Sequence, residues 1–241
     1  MNQELPISIA SSSNVRVLDI LSHHPRVERV ATSETSGVLF NLGGWEREVS
    51  IGHPRAALYG LVEVMDNNPM VCADSISVPG PAATLALIAL APLAQAGLIA
   101  DAPVVVLNCS DDEAEICEAL CRVGWDGGIA LHSEDLGLGG VLAASVMVAI
   151  PTPDDLTDID SLYEEQFGRS FYIRRDETSE WGPDVVLGQP FAVYRLRISP
   201  DEPNSLLTIR VLSDRDGKCG ASQVVHAMNV MCGFEESLGV S

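Results

Sequence analysis

VPGPAATLALIALAPLAQAGLI, residues 78–99, is the stretch on which the reading of this chain turns. Residues 82–100 carry no charged side chain and are long enough to approach a membrane-spanning helix. Pro92, Gln95 and Gly97 interrupt the run, and a proline at that place kinks or ends a helix. The stretch therefore reads as a helix buried in a globular core.

Upstream, residues 5–10 are strand-like, residues 14–23 place Val15, Val17, Leu18 and Leu21 at helical spacing, and residues 27–32 are strand-like again. Residues 35–54, with Gly37, Gly43, Gly44 and Gly52, read as loop around a short strand at 46–51, and residues 70–78 as an extended lead into the apolar helix. Downstream, residues 103–107 form an apolar run of strand length. Ser110 or Asp111 then caps a helix whose first turn is acidic and whose stop is Gly124. Strands at 140–150, 191–198 and 205–212 and helices at 154–166 and 221–231 complete an alternation that predicts an α/β or α+β architecture with a substantial sheet.

Composition narrows the classes of function. With 46% hydrophobic and 20% charged residues in 241, the chain has the makings of a packed core rather than of a disordered or disulfide-framed protein. Its 14 basic and 34 acidic residues give a net charge of -20, which repels nucleic-acid phosphate and anionic lipid. No nucleic-acid or membrane partner is expected. Six scattered cysteines, without paired spacing, and the absence of a signal-like first segment point to a reducing cytoplasm.

Three segments carry a family resemblance. Residues 78–99 resemble the active-site segment of the N-acetyl-gamma-glutamyl-phosphate reductases, a PGC motif followed by a threonine and an Ala-Leu helix. DGKCGASQVVHAMNVMCGFEESLG, at 216–239, is similar to that family's C-terminal helix, and LSHHPRVERVATS, at 21–33, to its first helix and second strand. Weaker likenesses lie at ALYGLVEV, 57–64, and LYEEQFGRSFYIR, 162–174. The resemblance implies a truncated Rossmann-like nucleotide-binding domain at 1–78, a semialdehyde-dehydrogenase-type α+β dimerisation domain at 79–215, and a C-terminal helix at 216–241 returning to the first domain. It also implies an ancestral reaction in which a cysteine attacks an acyl phosphate and a nicotinamide cofactor reduces the thioester.

The residues for that reaction depart from the family's pattern. The nucleophile falls on Pro81, which offers neither a thiol nor an N–H. Matching EICEAL at 115–120 to the family's EIEQEL puts its two histidines on Ser110 and Asp112 and its anion-binding arginine on Asp111. The phosphate-loop glycines fall on Ser8, Ser11 and Asn14, none of which is glycine. The stretch between the second strand and residue 57 is also shorter than in the family.

Other chemistry has few candidates. Cys109 stands at a strand end beside a helix N-terminus, and Ser110 and Asp112 beside it complete the candidate catalytic set. Ser77, Thr84, Asp111 and Lys218 are candidate substrate contacts, with Arg215 near Lys218. Cys117 and Cys121 read as core-facing thiols, the acids from Asp111 to Glu118 as a solvated helix start without a metal, and the five histidines as surface or capping groups. Three functions remain open: a non-redox binding or assembly protein, a repurposed enzyme acting on an amino-acid-derived ligand, and a residual reductase. No cofactor is expected unless the last holds, when it would be NADP. The expected assembly is a homo-oligomer, dimer or tetramer, or a hetero-oligomer with a related reductase.

Overall fold

Asn14 starts the first helix because its side chain supplies the acceptor that a helix start lacks: its Oδ1 takes the N–H groups of Arg16, at 2.9 Å, and Val17, at 3.4 Å. In a computed structural model, which describes residues 5–110 and 112–240, this helix, α1 (Val15–His23), follows strand β1 (Ile7–Ser12) and precedes β2 (Val30–Thr32). The chain continues through β3 (Val38–Leu42), β4 (Trp45–Ile51), a short helix α2 (Asn67–Val71) and β5 (Ser75–Val78). It then enters α3 (Pro81–Gln95), β6 (Val104–Leu107), α4 (Glu113–Arg122), β7 (Ala130–Ser133) and β8 (Val141–Pro151). The remainder is α5 (Thr157–Phe167), β9 (Ile173–Arg175), β10 (Ala192–Ser199), β11 (Asn204–Asp214) and α6 (Ala221–Cys232). Two compact units result: residues up to Pro79 together with those from Gly220 on, and Gly80–Cys219.

The first unit holds a five-stranded mixed sheet in the order β2-β1-β3-β4-β5. Here the expected loop at 35–54 is a β-hairpin, whose second strand is the short strand expected at 46–51. Leu42 pairs with Trp45, and the two-residue turn between them is Gly43-Gly44, both at positive φ, the conformation that tight hairpins need. Val38, Phe40 and Val49 face the interior, while the polar residues between them hide the pattern in the sequence. Of the extended stretch expected at 70–78, only the end is strand; its beginning is the last turn of α2.

Arg47, on β4, ties this unit together. Its guanidinium is buried, pairs with no carboxylate among the described residues, and donates to the carbonyls of Met70 and Val71 at the end of α2, of Ala73 just after it, and of Met231 at the end of α6. The last carbonyls of a helix have no partner inside it and carry the negative end of its dipole, so one cation serves two helices. Trp45 lies over the guanidinium at 4.2 Å. Burial pulls the pKa of Arg47 down from its ordinary value, yet an arginine stays charged at any physiological pH.

The second unit is a six-stranded mixed sheet, β7-β6-β8-β11-β10-β9, with α3 and α5 packed on one face. Residues 82–94 of α3 are all buried, which is why the helix is apolar on every side. Pro92 sits in its last turn, where the lost N–H costs a single bond, and the helix ends at Gln95 before Gly97 at positive φ. Val146, Val148, Leu207 and Ile209 line the covered sheet face. Tyr163, Phe167 and Tyr194 cluster there with ring centroids 5.4 to 6.3 Å apart, and the Tyr163 hydroxyl donates to the carbonyl of Ala89. The architecture is thus α/β, made of a Rossmann-like unit and an α+β unit, and among the described residues no helix is long and apolar enough to cross a membrane.

Replacing Arg47 by Leu would orphan four buried or half-buried carbonyls. A loss of about 3 kcal/mol or more in urea unfolding is expected, since each unsatisfied group costs roughly 1–3 kcal/mol. Arg47→Lys, with one donor head in place of a fork, would restore less than half of it.

Candidate functional site

Gly80 and Pro81 open α3, proline being favoured at the first helical position because its missing N–H would have no partner there. The N–H of Gly80 donates to Glu115 Oε1 at 2.8 Å. Glu115 is buried in the first turn of α4, itself capped by Asp112, whose Oδ1 accepts from the Glu115 N–H at 3.0 Å. A Cβ on residue 80 would stand 2.7 Å from Glu115 Oε2, so only glycine lets the carboxylate come this close. The positive end of the core helix is therefore neutralised by the protein's own anion.

Beside this start lies a cavity of about 520 Å³ in the second unit. Pro81, Cys109 and Ser110 line it together, as does Arg215. Sequence reasoning missed Asn108, Ser133 and Asp135, which complete its polar wall. Asn108 binds across to β8, its Nδ2 donating to the Val141 carbonyl at 2.9 Å and its Oδ1 accepting from the Ala143 N–H at 2.6 Å. Ser133 ends β7, the parallel neighbour of β6, and its hydroxyl donates to the Cys109 carbonyl. The carboxyl ends of adjacent parallel strands gather site residues, and recognising β7 as a strand would have found Ser133.

The other candidates are placed elsewhere. Asp112 is spent on the helix cap, and Asp111 lies outside the described residues. Thr84 is fully buried within α3, and Lys218 is fully buried with its Nζ 5.2 Å from the centre of the Tyr172 ring. Ser77 belongs to the first unit, buried, with its hydroxyl accepting the N–H of His53 at 3.0 Å. Cys219 is the thiol beside Pro81, its Sγ 4.0 Å from the Pro81 carbonyl, but burial pushes its pKa up to about 12 and leaves it a protonated core group.

The β1–α1 loop is closed in the same self-contained way. Ser8 donates to Asn41 Oδ1 at 3.2 Å, Ser11 to the Leu39 carbonyl at 3.4 Å, and Ser12 accepts the Asn14 N–H at 3.0 Å. With Asn14 already on the N–H groups of Arg16 and Val17, these two donors at the start of α1 are engaged internally rather than offered to a phosphate.

Two expectations need correction. Cys121 is exposed and Cys117 half-buried, because α4 buries Glu115, Ile116, Ala119 and Leu120 and turns its thiols towards the opposite side. His24 and His226 are interior rather than surface groups. His24 Nε2 meets Asn229 Oδ1 at 3.0 Å, tying the end of α1 to α6, and His226 Nε2 meets Glu236 Oε2 at 3.1 Å, fastening the segment that follows α6 back onto it. Burial lowers the His24 pKa and keeps that ring neutral at pH 7. Among the described residues no three metal-ligating side chains come together.

This arrangement sits in the fold of the semialdehyde dehydrogenases. The structure matches aspartate semialdehyde dehydrogenase II from Vibrio cholerae over 95% of this chain and 98% of the other, with a TM-score of 0.64 at 13% identity. The same enzyme complexed with ASA matches with a TM-score of 0.61. In sequence, 84 residues are 33% identical to N-acetyl-gamma-glutamyl-phosphate reductase from Psychrobacter sp. (strain PRwf-1), a stretch that spans 35% of this chain and 23% of that relative. No family model matches the chain.

Glu115→Ala would leave the Gly80 N–H unpaired, and a loss of about 1–3 kcal/mol is expected on thermal or urea unfolding, with Glu115→Gln milder because its amide oxygen still accepts. The thiols are separable by native alkylation and mass spectrometry at pH 8: Cys72 and Cys121 should label quickly and Cys219 only after unfolding. As pH climbs from the ordinary thiol range towards 12, the unfolded chain releases the Cys219 proton first, so stability should fall over that window.

Proposed function

We propose that this protein is a non-catalytic descendant of an acyl-phosphate reductase, kept as a cytoplasmic binding or assembly protein. One observation carries the reading: the helix start that would face an acyl group bears Pro81 in place of a thiol, with Glu115 already on the Gly80 N–H. Acyl transfer needs a thiolate and donors aimed at a developing oxyanion. Here the neighbouring thiol, Cys219, is buried and protonated, and a carboxylate beside the donor would repel any oxyanion. The internally bonded Ser8, Ser11 and Asn14 argue likewise against a nicotinamide cofactor, NADP included. Assembly would run through the second unit, as a homo-oligomer or with a related reductase.

A second reading rests on the cavity beside Pro81. With Cys109, Ser110, Asp135 and Arg215 around about 520 Å³, it has the size and the mixed charge to hold a small amino-acid-derived ligand and to act on it without redox chemistry. Cys109→Ala and Arg215→Ala would then abolish a measured activity that the first reading says does not exist.

The deciding experiment is incubation of the whole protein with NADPH, followed by calorimetry and an assay for reduction of N-acetyl-glutamyl phosphate. No saturable heat and no turnover are expected. Binding of NADPH together with turnover would sink the proposal.

A further inference from the structure

Helix α4 turns outward two sulfurs that no part of this function uses. It buries Glu115, Ile116, Ala119 and Leu120, and on its far side leaves Cys117 half-buried and Cys121 exposed. Residues four apart stand one above the other on a helix, with their Cβ atoms roughly 5–6 Å apart. Of the six cysteines in the sequence, no other two lie so close along the chain.

The helix that carries them is held at both ends. Asp112 caps its start, its Oδ1 accepting the Glu115 N–H at 3.0 Å, and Glu115 in turn accepts the Gly80 N–H at 2.8 Å. At its end the N–H of Val123 donates to the carbonyls of Leu120 and Cys121. A disulfide would need the two Cβ atoms to approach to about 3.5–4.5 Å, closer than an intact helix holds them. Burial and the Glu113 carboxylate also raise the Cys117 pKa, and the thiolate is the form that oxidants attack. The pair is thus kept as a reduced dithiol. A sulfur–metal–sulfur bridge, with metal–sulfur bonds of about 2.3 Å, spans the wider gap without unwinding the helix.

We infer that Cys117 and Cys121 form a binding site for a soft cation of low coordination number, of the copper(I) type. Two sulfurs are the whole ligand set, since among the described residues no group of three His, Cys, Asp or Glu side chains is placed to hold a metal. Structural zinc takes a full tetrahedral set and calcium or magnesium a cage of oxygens, so neither fits. Thiolates select copper(I), an ion that two sulfurs on a line satisfy. Two metal–sulfur bonds form, the two S–H protons pass to solvent, and no group changes oxidation state. Glu113 and the chain's net charge of -20 favour the approach of a cation. The site stands independently of whether the reductase chemistry has been lost.

Copper(I) is the probe, presented anaerobically to the reduced whole protein as its coloured bicinchoninate complex, with zinc as a parallel arm. The protein should withdraw one equivalent of copper(I). Because two linked ligands bind far more tightly than either alone, Cys117→Ser and Cys121→Ser should each weaken the withdrawal by about a hundredfold or more, while Cys72→Ser leaves it unchanged. Zinc should bind at least about a hundredfold more weakly than copper(I). Both substituted side chains lie on the outer side of α4, so the variants should fold, which circular dichroism and melting temperature check. No withdrawal of copper(I), or a withdrawal that survives Cys121→Ser, would overturn the site. Zinc held as tightly as copper(I), and lost in the same two variants, would overturn the class of ion.

Discussion

The hydrogen bond from the Gly80 N–H to Glu115 is the constraint around which the second unit is arranged. It fixes the residue that precedes α3, the helix on which the sheet's covered face packs, by an acid on the next helix of the chain. For the carboxylate to reach, residue 80 must lack a side chain, α4 must begin where Asp112 caps it, and β6 must deliver the chain to that cap. A fold can satisfy these conditions without any catalytic purpose. They also set the chemistry of the neighbouring cavity, because a fixed negative charge at a helix start spends the electrostatic resource that a reaction there would draw on.

The first unit solves a related problem with the opposite charge. Arg47 gathers the carbonyl ends of α2 and α6, so that helices far apart in sequence finish on one guanidinium. His24, Asn229 and His226 then anchor the last residues to α6. Both units share a pattern in which helix ends are satisfied from within the protein. Helix N-termini are the positions at which an α/β enzyme normally receives phosphates and oxyanions, and this chain engages those of α1 and α3 with its own Asn14 and Glu115.

Much of the fold could be read from residues alone, because it follows from patterns with a strong local cause. The apolar run of α3, the cap at Asn14, the stop at Gly124 and the long strands at 141–151 and 204–214 each announce themselves by composition or spacing. What escaped did so for physical reasons. Strand β3 escaped although its hairpin partner β4 was legible, and so did the burial of Arg47, a charge whose place is justified only by carbonyls brought near from elsewhere; β7 and β9 are short strands whose existence depends on their parallel partners. In the site, Pro81, Cys109 and Ser110 were legible as a group, since each stands at an element boundary. Thr84 and Lys218 were not, since a polar residue in a good motif position looks the same whether it faces solvent or the core.

Lys218 has a further meaning. It is the sole lysine in the sequence, every other basic residue being arginine, and its side chain is wholly buried. The folded protein consequently offers no lysine ε-amine to solvent. Acetylation, glycation, ubiquitin conjugation and succinimidyl coupling at lysine all need such an amine in its neutral, accessible form. Towards lysine chemistry the folded surface is silent, and any modification of Lys218 would have to wait for, and would thereby report, the opening of the core.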